Sequence, residues 1–138
     1  MSPSPKATTA PNTAASWFSR VVWLGIAFNL LFIVPQVFAP DFINMAVDLP
    51  PGFSTIWNQA HGMMVLALSL FYIPAALDPL RYPAYSWLLV VSRLIAAGFW
   101  AYLSGSSPAF VSYLITDGAF GVIEGLLLQR ALPLESKA

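Results

Sequence analysis

Four long apolar segments take up most of this chain, at residues 17–38, 55–77, 84–104 and 108–129. A helix rises about 1.5 Å per residue, so a segment of roughly 20 residues crosses a hydrocarbon core of about 30 Å. Hydrophobic residues make up 58% of the chain and charged residues only 9%, which is too little charge to cover a soluble domain. The sequence therefore predicts an all-α fold, an integral membrane bundle of four helices.

The four spans leave few of the 138 residues for a domain outside the membrane. We expect a flexible tail at 1–15, because its small, polar and proline-rich residues cannot form a core. A transmembrane domain at 16–130 and a short C-terminal tail at 131–138 complete the chain. The one longer loop, 39–54, is apolar enough to lie on the membrane surface as a half-turn or short amphipathic helix. A cleaved signal peptide is the competing interpretation of the first span, since residues 37–39 loosely resemble a small-x-small cleavage site.

The basic residues near the ends of the spans predict the orientation of the chain. They all fall on one side of the membrane, at Lys6, Arg20, Arg81, Arg130 and Lys137. Lysine and arginine are retained in the cytoplasm, so we expect both termini to be cytoplasmic and the longer loop to face outward. Six basic and six acidic residues cancel, which gives no field to attract nucleic acid. The expected partners are the lipid bilayer and other membrane protein subunits.

Three charged residues inside the spans are the strongest functional signal. Arg93 lies in the middle of the third span, and Asp117 and Glu124 lie in the fourth. A charge at this depth costs at least about 2.5 to 3.5 kcal/mol and needs a partner or water. The two acids are seven residues apart, on one helix face and ~10 Å apart along the axis.

The short connection at residues 105–108 makes the third and fourth spans neighbours, so Arg93 can pair with either acid. We favour Asp117 as the partner and place Glu124 nearer the cytoplasmic rim. Such an ion pair can simply orient two helices. Alternatively, the carboxyl group left without a counter-ion can donate or accept a proton, which makes His61, Asp117 and Glu124 candidate catalytic residues.

The second span opens with a polar cluster of Trp57, Asn58 and His61. Trp57 and His61 are four residues apart and share a helix face, so we expect the cluster to contact a lipid headgroup or a quinone-like ligand. His61 is the only histidine and the chain has no cysteine, which excludes bis-histidine haem and cysteine-bound iron–sulfur clusters. We predict no metal site and no cofactor, and leave a quinone or lipid open as a ligand.

Small and aromatic residues indicate where the helices touch. Gly118, Gly121 and Gly125 recur at three- and four-residue spacing, which lets a neighbouring helix approach closely. Packing within the chain is the expected use of these glycines. The aromatic residues Phe99, Trp100 and Tyr102 of the third span are expected to face lipid, a ligand or another subunit.

The order of these parts resembles the DoxX-like group of small bacterial four-helix membrane proteins. The likeness covers residues 17–130 and lies in the layout: an arginine opens the first span in SRVVWLGIAFNLLF, and VPQVFAP ends it. The outer loop ends in LPPGF, and the second span has a glycine in AHGMMVLAL. The short turn LDPLRYP and an arginine of the third span, in VVSRLIAAG, complete the layout. The resemblance implies an accessory role in the bacterial cytoplasmic membrane, since members include subunits of quinone-linked oxidoreductases.

Three classes of function follow from the sequence. The first is a non-catalytic accessory or anchoring subunit of a bacterial membrane complex, with quinone-linked redox chemistry as one candidate activity of that complex. The second is a small membrane enzyme, an isomerase or quinone-handling protein, for which a pocket should contain at least two of the intramembrane polar residues. The third is an oligomeric transporter, although the four spans show no inverted repeat.

Overall fold

The computed structural model describes residues 12–46 and 55–132. Within those ranges the chain forms five helices: α1 (Thr13–Phe38), α2 (Pro40–Ala46), α3 (Thr55–Leu77), α4 (Pro83–Ser104) and α5 (Phe110–Ala131). In the described part of the chain, α1, α3, α4 and α5 are each long and apolar enough to cross a membrane. The prediction of an all-α bundle of four membrane spans is confirmed.

The first span starts earlier than the apolar run indicates, because Asn12 caps it. The side chain of Asn12 accepts a hydrogen bond from the amide of Ala15 at 3.1 Å, which satisfies one of the free amides of the first turn. It also donates to the carbonyl of Ala131 at 2.8 Å and so joins the start of α1 to the end of α5. Residues 13–15 thus belong to the first span rather than to the predicted tail. The rest of that tail, 1–11, and residues 133–138 of the C-terminal tail lie outside the described residues.

The longer loop contains the short helix α2. Ile43 is buried, whereas Phe42 and Met45 on the other side are exposed. This apolar exposure fits a segment at the boundary of the hydrocarbon core. Residues 47–54, the remainder of the predicted surface loop, lie outside the described residues.

The four spans pack in the order α1, α3, α4, α5 around the bundle, and the contact between α5 and α1 closes the ring. The short turn after Ser104 makes α4 and α5 antiparallel neighbours with the most extensive contact in the bundle. Of the four neighbouring pairs of spans, α3 and α4 share the least contact. This is the up-down-up-down arrangement that short connections favour.

The apolar core occupies one half of the bundle, the half with the chain ends. It includes Phe18 and Val22 of α1, Ala75 of α3, Leu89 of α4 and Leu128 of α5, all with essentially no exposed surface. The other half of the bundle, toward α2 and the α4–α5 turn, is less filled.

The glycines of α5 pack against α4. A Cβ atom at Gly121 would lie 2.9 Å from Cδ2 of Leu94, and one at Gly125 would lie 3.3 Å from Cγ1 of Val90. At Gly118 the nearest atom, Cβ of Ala97, would be 3.8 Å away, which is an ordinary contact. The structure therefore uses Gly121 and Gly125 for a close helix–helix approach within the chain.

Candidate functional site

Arg93 lies at the centre of the bundle and contacts both intramembrane acids. Its Nη1 atom is 3.1 Å from Oδ1 of Asp117, and its Nε atom is 3.1 Å from Oε2 of Glu124. Only 2% of the Arg93 side chain is exposed, and Glu124 is fully buried. The guanidinium group bridges two acids that lie two turns apart on one face of α5. Neither acid is thus left without a counter-ion, which differs from the pairing with Asp117 alone that the sequence favours.

All four spans contribute to the surroundings of Arg93. The guanidinium carbon lies 4.8 Å from the ring centre of Phe120 in α5 and 5.5 Å from that of Tyr72 in α3. Both rings stabilise the cation through their electron-rich faces. From α1, Gly25 approaches so closely that any Cβ atom there would collide with Nη2 of Arg93. Glycine at position 25 of α1 therefore leaves the space that the Arg93 side chain of α4 occupies.

The triad of Arg93, Asp117 and Glu124 keeps unused hydrogen-bonding capacity. Nη2 of Arg93 and both carboxylate oxygens of Glu124 are buried without a hydrogen-bond partner among the described residues. Glu124 is close enough to Nε of Arg93 for an ion pair, but not at a hydrogen-bonding angle. Buried polar groups of this kind are uncommon, and in native proteins they concentrate where chemistry or ligand binding needs them.

A cavity of about 280 Å³ lies next to the triad, in the less filled half of the bundle. All four spans line it, and most of its wall is apolar. Its aromatic lining comprises Phe28, Phe32, Tyr72, Phe99, Trp100 and Tyr113. A mostly apolar cavity with a few convergent polar groups is the usual form of a small-molecule site.

Asp117 is the acid that faces this cavity. Its side chain is 23% exposed, whereas Glu124 is fully buried behind Arg93 and does not line the cavity. The indole N–H of Trp100 donates to Oδ2 of Asp117 at 3.0 Å, so each carboxylate oxygen has one donor. Trp100 is held in turn by the ring of Tyr113, whose centre is 5.0 Å away. The carboxylate is thus oriented from two sides and remains accessible from the cavity.

A second polar cluster lies at the end of the cavity nearest α2, where α1, α2 and α3 meet. The amide nitrogen of Gln36 donates to Oδ1 of Asn58 and lies 3.0 Å from Nδ1 of His61. Asn58 donates to Oδ1 of Asn44 in α2 at 2.7 Å. Because Gln36 Nε2 has only protons to offer, Nδ1 of His61 is the acceptor, and Nε2 of a neutral His61 carries the proton. His61 lines the cavity and can therefore act there as a donor.

The structure separates the predicted cluster of Trp57, Asn58 and His61. His61 alone lines the cavity. Asn58 is completely buried and joins α3 to α1 and α2, while Trp57 is 72% exposed. Trp57 and Asn58 are adjacent and point about 100° apart around α3, so one is exposed while the other is buried.

Sequence reasoning missed several residues of the cavity. Gln36 went unnoticed although a buried amide inside an apolar span was a usable signal. Asn29 is similar: it donates to Oγ of Ser69 at 3.0 Å and also lines the cavity. Tyr113 and Phe32 had no distinguishing signal, because aromatic residues are common on lipid-facing surfaces.

Within the described ranges, no group of three or more histidine and acidic side chains is placed to hold a metal ion. Comparisons of the chain with protein families, with curated proteins and with solved structures find no match. From its four apolar helices, which pack as a bundle, the chain is a small, multi-pass membrane protein.

Proposed function

We propose that this chain binds a neutral, lipid-soluble ring compound of the quinone class in the cavity beside the triad, and that Asp117 exchanges a proton with it. The observation that carries the proposal is the cavity itself. It lies inside a membrane bundle, has an aromatic wall, and has His61, Arg93 and Asp117 on its surface. For a membrane enzyme, the sequence predicts a pocket with at least two of the intramembrane polar residues. Three such residues line this cavity.

The charge of the site favours a neutral ligand. Arg93 is the one cation on the cavity wall among the described residues, and it already faces two carboxyl groups. A carboxylate or phosphate ligand would add a third negative charge in a medium of low dielectric. Free fatty acids and phospholipid headgroups are therefore poor candidates.

The hydrogen-bonding groups favour a ligand with acceptor oxygens. The Nε2 proton of His61 is available as a donor, and the hydroxyl of Tyr113 forms no hydrogen bond to another described residue. Both residues line the cavity. The rings of Trp100 and Phe32 offer stacking surfaces for a planar ring, and such contacts contribute about 0.5 to 1.5 kcal/mol each. Quinone carbonyls on a flat ring meet both requirements.

The two acids support a division of roles. Asp117 faces the cavity and can accept or donate the proton. Glu124 stays behind Arg93 as a fixed counter-ion. When Asp117 is protonated, Arg93 still has a partner, so no buried charge is left uncompensated. With a single acid beside Arg93, protonation of that acid would leave the buried guanidinium group without a counter-ion.

An accessory role in a membrane complex is compatible with this proposal and is the second candidate. Reduction of a quinone to a quinol takes two electrons and two protons, and the chain has no cysteine and only one histidine with which to hold iron–sulfur or haem groups. A partner protein would supply the two electrons, while this chain would supply the binding site and, through Asp117, one of the two protons, with the other taken from water. Location in the bacterial cytoplasmic membrane and kinship with the DoxX-like group both rest on the layout of the sequence.

Tryptophan fluorescence tests the binding of a quinone. The purified chain in lipid nanodiscs is titrated with decylubiquinone, and we expect saturable quenching because Trp100 lies on the cavity wall. Trp100→Phe should remove most of the saturable part. Trp87→Phe is the matched control, since Trp87 is exposed on the same helix and does not line the cavity. Quenching that never saturates, or that is equal in both variants, would contradict the proposal.

A further inference from the structure

The cavity continues into a groove between α3 and α4. A smaller void of about 120 Å³ lies along this seam, on the side of the cavity toward the chain ends, and shares Leu68, Tyr72 and Ser92 with it. The rest of its wall comes from Phe71 of α3 and from Tyr85, Leu88 and Leu89 of α4. The two voids are therefore neighbouring parts of the seam between α3 and α4. Of the four neighbouring pairs of spans, this pair shares the least contact.

The hydroxyl groups that the groove shares with the cavity, those of Tyr72 and Ser92, offer no proton to a polar head. Ser92 donates to the carbonyl of Leu89 at 2.8 Å, so the hydroxyl of Tyr72, 2.8 Å from Ser92, is the donor in that pair. Both hydroxyl protons are thus used within the protein. The wall of the groove is apolar and suits hydrocarbon, in contrast to the cavity, where His61 and Asp117 are available.

The same seam opens toward the surrounding lipid. The cavity residues Met64 and Leu68 of α3 and Phe99 of α4 are 62%, 39% and 54% exposed. Farther along the seam Phe71 and Leu88 are also largely exposed. On the α1 side the cavity wall is less exposed: Ile33 and Gln36 are buried, and the other three residues of that wall, Phe28, Asn29 and Phe32, are half-buried. A molecule dissolved in the bilayer therefore meets the cavity between α3 and α4.

We propose that the ligand carries a single long apolar chain, that it enters from the bilayer between α3 and α4, and that its chain lies in the groove while its ring occupies the cavity. This inference rests on the proposed function and specifies the ligand class further. Hydrocarbon gains little by moving from lipid to an apolar groove. The groove instead lets the ring enter the cavity while the chain stays in hydrocarbon.

Two ligands and two variants test the chain-binding groove in nanodiscs. The ligands are decylubiquinone and the same dimethoxy-methyl benzoquinone ring without the decyl chain, compared by their mole fraction in the bilayer. Leu88→Trp narrows the groove, and Leu126→Trp makes the same change at an exposed leucine of α5 away from it. We expect Leu88→Trp to weaken decylubiquinone binding at least tenfold and to leave the chain-free ring unaffected. Leu126→Trp should change neither.

The outcomes separate the two proposals. If neither ligand binds the unmodified protein, the proposed function fails. If the chain-free ring binds but Leu88→Trp affects both ligands alike or neither, the function stands and the groove is wrong. A decylubiquinone analogue with a photoreactive diazirine at the end of its chain gives a check that needs no variant. Labelling of α3 and α4 near Phe71 and Leu88 supports the groove, whereas labelling mainly on α5 overturns it.

Discussion

At the scale of single residues, Arg93 determines most of the site. It pairs with Asp117 on the cavity side and with Glu124 behind it. A buried charge that loses its partner costs far more than the pair gains, because desolvation is no longer compensated. The triad therefore contributes less to stability than its contacts suggest, and its presence points to function.

Removing Arg93 alone should destabilise the bundle, and removing the whole triad should not. Arg93→Met leaves the buried Glu124 without a partner and Asp117 with only the hydrogen bond from Trp100, at a cost of roughly 3 to 5 kcal/mol. The triple variant Arg93→Met, Asp117→Leu, Glu124→Met should recover most of that stability and lose quinone binding. Thermal unfolding in detergent, followed by tryptophan fluorescence, measures the first effect. A triple variant as unstable as Arg93→Met would show that the triad is a structural requirement.

The two acids should differ when each is neutralised. Asp117→Asn removes the cavity-facing proton carrier and should weaken quinone binding or turnover more than stability. Glu124→Gln leaves Asp117 as the only counter-ion and should mainly affect stability, since Glu124 does not line the cavity. Binding titrations and unfolding curves of both variants, side by side, measure the difference. Identical losses in both measurements would mean that the roles are not divided.

Gly25 should be intolerant of any side chain. A Cβ atom at Gly25 collides with the Arg93 guanidinium, and overpacking of this kind costs about 1 to 3 kcal/mol. Gly98 is the matched control, because a Cβ there meets nothing within 4 Å. Gly98→Ala should leave the unfolding temperature unchanged or raise it, since alanine favours a helix. Equal effects of Gly25→Ala and Gly98→Ala would place Arg93 elsewhere.

At the scale of helices, α2 is attached to the spans through polar side chains. Asn58 of α3 accepts from Gln36 of α1 and donates to Asn44 of α2. Centred on the buried Asn58, this hydrogen-bonded cluster specifies how three helices meet. It also orients His61, because Gln36 contacts both side chains.

Asn58→Ala should therefore loosen α2. The loss leaves buried amides without partners, at a cost of roughly 1 to 3 kcal/mol. We expect faster hydrogen exchange at residues 41–46, measured by mass spectrometry in nanodiscs. Met63→Ala is the control, as Met63 is an exposed residue of the same helix. Unchanged exchange in Asn58→Ala would show that α2 is held by its apolar contacts alone.

At the scale of the molecule, the bundle has a packed half near the chain ends and a less filled half near α2. The four spans and their order could be predicted from the sequence, because apolar length alone decides whether a segment crosses the bilayer. The pairing of Arg93 across α4 and α5 followed from the short turn between them. The cavity could not be predicted, since it depends on how Phe32, Trp100 and Tyr113 orient their rings, and helix periodicity does not determine this.

The orientation of the chain can be tested with single cysteines, because the sequence has none. Ser106 lies in the α4–α5 turn and Leu80 in the α3–α4 turn, and both are exposed. The distribution of basic residues predicts that a membrane-impermeant maleimide labels Ser106→Cys on intact cells and Leu80→Cys only after lysis. The reverse labelling pattern would put the less filled half of the bundle, and the cavity with it, on the cytoplasmic side.

The central claim is that the cavity holds a neutral ring compound from the bilayer. The most direct measurement is mass spectrometry of the small molecules that copurify with the chain from its native membrane, compared with Ala96→Trp and Ala101→Trp. Ala96 lines the cavity, and Ala101 is exposed on the same helix. We predict a stoichiometric quinone-like compound with the unmodified chain and with Ala101→Trp, and none with Ala96→Trp. The same small molecules in all three preparations, or a phospholipid in place of the ring compound, would contradict the account.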